Sequence, residues 1–206
     1  NFDEIQDFEH DIRGEFGGTG FLSDADFNAG TRNTTLGTPK AGVNADLDAL
    51  AAYVASLDTI PPSPYRPSLT EMTCAALRGR EAFLALNCYS CHDTHIFTDS
   101  PSNQLHDVGT IKPHSGQRLG APLTGFDTPS LKGIWHTAPY LHDGSAATIE
   151  DVLTTQNPGD QHGAVSTLTP SQLSDLIAYL HQLDDYEAAV ENGHIIELPA
   201  VETPEV

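Results

Sequence analysis

The string Cys88-Tyr89-Ser90-Cys91-His92 constrains this chain more than any other stretch. Two thiols three positions apart reach the two vinyl groups of one porphyrin, and the histidine that follows lies under the iron and supplies an imidazole nitrogen. Chance would produce such a string in roughly one chain in several hundred of this composition. A structural zinc site would need a second Cys or His pair at similar spacing, and the sequence has none. A thioredoxin-like redox pair would need a βαβ setting that the surrounding pattern does not offer. The expectation is one haem c, bound covalently through Cys88 and Cys91, with His92 as the proximal iron ligand. The third cysteine, Cys74, reads as a small buried apolar residue of the preceding helix.

Helical periodicity appears on both sides of this motif. Residues 44–57 place Leu47, Leu50, Ala51, Val54 and Leu57 on one face, with Asn44 as N-cap. Residues 169–183 do the same with Leu173, Leu176, Ile177, Leu180 and Leu183. There Thr169 and Gln172 suit a capping box, and Pro170 suits the first helical position. ALAAYVASL and DLIAYLHQL each set a Tyr among small and branched residues, as one element used twice. A helix is expected over about 70–86, and a short one after Thr148, whose hydroxyl and Asp151 resemble a capping box. Residues 93–128 lack sustained periodicity, and a loop of that length commonly wraps a ligand. Proline-rich residues 61–69 read as a stiff linker. The expected organisation is a preceding cytochrome c-like portion without an attachment motif (1–60), the linker, a mono-haem domain (70–186) and an acidic, solvated tail (187–206).

Gly79 and Phe83 precede the cysteines in the pattern G-x-x-x-F-x-x-x-x-C-x-x-C-H. This resembles the leading helix of small cytochrome c domains, where the glycine admits a closing helix whose aromatic fills the gap; Tyr179 is the matching aromatic. Residues 127–153, DTPSLKGIWHTAPYLHDGSAATIEDVL, resemble the carboxy-terminal domain of bacterial di-haem cytochrome c peroxidases and their methylamine-utilisation (MauG-like) relatives. The resemblance covers most of residues 70–183. It implies an all-α, cytochrome c-like fold with long haem-wrapping loops, and an electron-transfer haem in this domain. It also makes residues 44–57 the closing helix of a first domain, although residues 1–43 hold no cysteine. The sequence suggests that an upstream haem portion has been removed, and His10 reads as a surface histidine.

The second axial ligand is the open point. The one methionine, Met72, lies on the leading, proximal side. In the family the distal Met or Tyr follows the H-D-G histidine by fourteen positions, and here that position is Gln156, a weak haem ligand. His95 is too close to His92 to reach the other face, and His106 and His114 lie in the long loop. His162, in N-P-G-D-Q-H-G, occupies a loop that commonly delivers a distal ligand, with Gly159 and Gly163 to let the backbone approach. His162 is the leading distal ligand and His142, beside A-P-Y-L, the alternative.

The formal charge of −20 disfavours nucleic acid and anionic membrane surfaces and suits cationic partners. No stretch is long and apolar enough for membrane insertion. Thioether attachment occurs outside the bacterial cytoplasm, so the expected location is periplasmic or extracellular. The expected function is single-electron transfer within a larger oxidoreductase, with no catalytic residue in this chain, and with a redox protein or a second haem domain as partner. The alternative is a peroxidase-type haem enzyme. No contiguous acidic loop supports a calcium site.

Overall fold

Helix caps written into the sequence set the elements of this computed structural model, which describes residues 4–14, 16–29, 39–93, 95–118, 121–191 and 193–196. Helix dominates and strand is sparse. The chain forms two compact units, Asn1–Thr59 with Leu119–Ala121, and Ile60–Arg118 with Pro122–Val206.

In the first unit, α1 (Glu9–Arg13), α2 (Asp24–Asn28) and α3 (Ala45–Ala55) follow a 3-10 turn at Ile5–Phe8. Asn44 caps α3 by accepting from the Asp46 and Leu47 amides, with Asp46 and Asp48 in the first turn where the helix dipole favours them. Glu9 is fully buried and accepts from the Phe21 and Leu22 amides and from Arg13. Burial pushes its carboxyl up, but these bonds outweigh it and hold it below the ordinary carboxylate range. His10, expected at the surface, is instead buried, with its ring against Phe27. The adjacent Glu9 anchors the Phe21–Leu22 backbone, so the short α1 is turned inward at both positions.

The second unit builds its core from α4 (Cys74–Ala85), α5 (Ile149–Leu153) and α6 (Pro170–Leu180). Thr73 caps α4 through the Ala76 amide. Both expected capping boxes form, Thr148 with Asp151 on α5 and Thr169 with Gln172 on α6. Among the described residues of the chain, strand comprises β1 (Gln117–Arg118), β2 (Ala121–Pro122) and the antiparallel hairpin of β3 (Ala189–Glu191) and β4 (His194–Ile196).

The crossing of α4 and α6 organises the core. A Cβ at Gly79 would lie 1.9 Å from the Asp175 carbonyl oxygen and 2.9 Å from Tyr179 Cβ, so only glycine permits this approach. Beside the crossing, Arg78 makes two hydrogen bonds to Asp175, both 2.7 Å. Tyr179 meets Phe83 edge-on at 5.4 Å, and Phe83 meets Phe97 at 6.2 Å. Cys74 departs from expectation: it is exposed, sharing the solvent face of α4 with Leu77 and Arg78 at the i+3 and i+4 positions.

The repeated helix motif shows what a crossing partner contributes. Tyr179 and Leu183 are 0% exposed, whereas their counterparts Tyr53 and Leu57 are 63% and 64% exposed. Of the expected apolar face of α3, only Leu47 and Ala51 are buried. Burial here follows from a crossing helix like α4, which the described residues of the first unit do not supply.

The proline-rich segment is no free tether. Ser63 is buried, its amide bonded to Asp184 and its hydroxyl to the His181 carbonyl. Arg66 donates to the Gln182 carbonyl at 3.0 Å and lies 3.5 Å from Asp184 and 3.4 Å from Glu187. The start of the expected solvated tail is likewise packed, because Asp184 and Glu187 are both buried against these cations. Residues 192 and 197–206 of that tail lie outside the described residues.

Replacing Gly79 with Ala forces the two helices apart and should cost about 3 kcal/mol. Denaturant unfolding of the haem-loaded protein measures this; a Gly79→Ala protein with an unchanged midpoint would contradict the packing described.

Candidate haem site

The attachment motif leaves the end of α4 through Asn87, whose φ of +60° turns the chain into a 3-10 turn at Cys88–Ser90. The His92 amide then donates to the Cys88 carbonyl at 3.0 Å, so both thiols and the imidazole come from one tight turn. Both cysteines are half-buried and neither is in a disulfide. Burial pushes the Cys88 thiol up to about 11, which keeps it protonated at neutral pH.

His92 is buried, and its Nδ1 lies 3.2 Å from the Phe97 carbonyl oxygen. That contact takes the Nδ1 proton and leaves Nε2 as the free electron pair, the usual arrangement for a metal-bound histidine. Phe97 holds its carbonyl there from a left-handed conformation, φ +54°, with a fully buried ring. Burial, with His162 nearby, pushes His92 down to about 4, so the ring is neutral, the form that binds metal.

His162 faces His92. The two ring centroids are 6.2 Å apart and the planes differ by 34°. Metal–imidazole bonds of about 2 Å on opposite sides of one ion put two ring centroids about 6 Å apart, so this pair has the separation of axial ligands. His162 Nδ1 is buried and makes no hydrogen bond, and burial lowers its pKa. A buried ring nitrogen left without a partner fits a histidine that binds a group at this site. Free thiols and a neutral imidazole on one turn suit covalent attachment of haem c, and the second imidazole near His92 could supply a sixth ligand.

The loop carrying His162 is held by Asn157, which the sequence reading did not single out. Its side chain accepts from the His162 amide at 2.9 Å and donates to the Gly163 carbonyl at 3.0 Å. Gly163 has φ +86°, a backbone conformation that favours glycine. The N-P-G-D string signals a turn, but nothing in it marks Asn157 as the clamp.

The other histidines lie elsewhere. His142, the alternative distal ligand, is exposed, stacks on Phe126 at 4.1 Å and sits 2.8 Å from the Ser115 hydroxyl through Nε2. His95, His114 and His136 are exposed. Met72 packs beside the core, and Gln156 is half-buried within 3.5 Å of Ser145. His106 comes close to the motif, its Nδ1 3.6 Å from Cys91 Sγ and its Nε2 2.7 Å from Asp99.

Comparison with known proteins finds similarity to cytochrome c-like proteins. The family described as RoxA-like, cytochrome c-like matches residues 125–159. Hydrazine synthase subunit gamma of Kuenenia stuttgartiensis is 31% identical, covering 66% of this chain and 48% of that protein. MauG of Methylorubrum extorquens is 32% identical, covering 56% of this chain and 36% of its own length. The cytochrome-c peroxidase IdrP2 of Denitromonas iodatirespirans is 40% identical over 43% of this chain and 25% of the peroxidase. Among solved structures, Kuenenia stuttgartiensis hydrazine synthase pressurised with xenon matches with a TM-score of 0.54 and 28% identity, covering 66% of this chain and 55% of that one. The chain thus spans less than half the length of each of these curated relatives.

Asn157→Ala should free the His162 loop and lower stability by about 2 kcal/mol, because the His162 amide and Gly163 carbonyl lose their partner. The haem-loaded variant should bind carbon monoxide faster than the parent as the distal side loosens. Unchanged unfolding and unchanged carbon monoxide binding would contradict the clamp.

Proposed function

We propose that this chain, which belongs to the superfamily of MauG and the cytochrome c peroxidases, is a one-electron relay built on a single covalent haem c. The haem would be held through Cys88 and Cys91, with His92 and His162 on the two faces of its iron. The observation that carries this reading is the pairing of His92 with His162, 6.2 Å between ring centroids. In this reading residues 70–186 form an all-α cytochrome c domain, and residues 1–60 belong to a preceding domain of the same type.

When bound, the haem supplies reversible exchange of one electron at its iron. The chain's own residues set the terms of that exchange. Phe97 holds His92 in one tautomer and one orientation through the 3.2 Å contact with its carbonyl. Asn157 fixes the backbone of His162, so this histidine would hold the haem with little rearrangement on electron gain or loss. The core around Phe83, Phe97 and Tyr179 keeps water from the interior face. Two imidazoles without a soft thioether favour ferric iron, so the potential falls below that of His/Met cytochromes.

The partner is a redox protein or a second haem domain, and a surface of charge −20 favours a basic docking face. Thioether chemistry places the work outside the cytoplasm, and among the described residues no helix is long and apolar enough to cross a membrane. The relatives named as peroxidases supply the second reading. It requires an open iron face, and His162 opposite His92 argues against one.

His162→Ala tests the choice. It should turn a low-spin spectrum high-spin and admit carbon monoxide or cyanide, while haem stays attached by mass after acid-acetone extraction. His162→Met should raise the reduction potential. An unchanged spectrum in the Ala variant would reject His162, and rapid peroxide turnover by the unaltered chain would favour the enzymatic reading. Haem that survived extraction in a Cys88→Ala/Cys91→Ala protein would reject the attachment itself.

A further inference from the structure

Cys91, Asp99 and His106 bring a sulfur, a carboxylate and an imidazole within 4.8 Å of one another. The cluster is not a chelate. Cys91 lies at Nδ1 of the ring, 3.6 Å away, and Asp99 lies at Nε2, 2.7 Å away, so the two groups sit on opposite nitrogens of the same imidazole. One ion cannot take both without breaking the Asp99 bond. The arrangement is a hydrogen-bond relay from carboxylate through imidazole to sulfur.

The relay is held firmly. His106 and Phe126 exchange backbone hydrogen bonds in both directions, at 2.9 and 2.8 Å. A Cβ on Gly125 would come within 2.7 Å of the His106 amide nitrogen, so glycine lets this strand close on the histidine. Burial pushes the Asp99 carboxyl up, but bonds from Thr128 and His106 outweigh it and keep it ionised. Asp127, bound to the Ser100 hydroxyl at 2.7 Å, and Asp107, bound to the Gly109 amide at 2.9 Å, are the other carboxylates nearby. His92 feels the charge of Asp99 across the same pocket.

A neutral His106 donates Nε2–H to Asp99 and points the Nδ1 lone pair at the sulfur. A free Cys91 thiol can donate its proton into that lone pair. A sulfur bonded to haem has no proton left to give, and two lone pairs then face each other. A second proton on Nδ1 removes this conflict, because the sulfur can accept weakly and Asp99 pairs with the cation.

We propose that His106, held by Asp99, is a proton-uptake site linked to reduction of the haem attached at Cys91. This rests on the attachment reading above. One electron from a one-electron donor protein goes to the iron, and one proton from solvent goes to His106 Nδ1; an N–H bond forms and none other breaks or forms in the chain. The added negative charge at the haem favours the cationic ring, and the cationic ring favours the ferrous haem. Proton and electron therefore arrive together.

Potentiometric titration of the haem-loaded chain with chemical mediators, at a series of pH values between about 5 and 8, tests this. The potential should fall as pH rises across that window in the parent. It should become nearly pH-independent in His106→Gln, with low-spin spectrum and covalent haem retained. In Asp99→Asn the pH-dependent segment should move to lower pH, because the cationic ring loses its partner. NMR of the parent should place the midpoint of the His106 ring titration higher in the reduced than in the oxidised protein, a readout that does not depend on any variant folding. A flat potential in the parent, or a slope that survives in His106→Gln, would overturn the proposal while leaving the relay reading intact. A chain that took no covalent haem would strike the relay reading instead.

Discussion

The close approach of α4 to α6 at Gly79 is the constraint on which the rest of the second unit depends. Because no side chain separates the helices there, Tyr179 reaches Phe83, and Phe83 reaches Phe97. That contact fixes more than packing. Phe97 presents the carbonyl that orients His92, so the crossing of two helices sets the tautomer of the proximal histidine. The attachment turn starts two residues beyond the end of α4 and inherits its direction. The first unit repeats the closing-helix sequence without such a crossing partner among its described residues, and there Tyr53 and Leu57 stay exposed.

Electrostatics divide in the same way. Negative charge displayed to solvent steers partners and costs little. Among the described residues, the buried carboxylates Asp7, Glu9, Asp175, Asp184 and Glu187 each meet a lysine, an arginine or backbone amides. In the second unit Asp184 and Glu187 bind the Ile60–Pro67 segment to the end of α6, closing the unit at the residues where the sequence suggests only a linker. Proline content suggests stiffness, and stiffness is equally useful in a segment laid against a core.

Much of the site was legible because it is local. Cys88, Cys91 and His92 follow a fixed spacing, and the caps of α3, α5 and α6 are short-range signals that the structure reproduces residue by residue. His162 is nominated by elimination, since Met72 and Gln156 are unsuitable on chemical grounds. What the sequence could not display was long-range. The side chain of Asn157 clamps a loop through backbone atoms, and the Phe97 carbonyl acts from a left-handed residue. Cys74 turns outward because of the helix face it shares, and His10 turns inward because of its neighbour Glu9. Asp99 and His106 are seven residues apart in a stretch without periodicity, and only folding brings them to Cys91.

The account stands or falls on two imidazoles sharing one iron. Low-temperature electron paramagnetic resonance of the ferric, haem-loaded chain reports this directly. With His92 and His162 as axial ligands and ring planes 34° apart, the spectrum should be low-spin and rhombic, as imidazole planes well short of perpendicular require. A predominantly high-spin signal in the unaltered chain would show one face of the iron open and contradict the central claim.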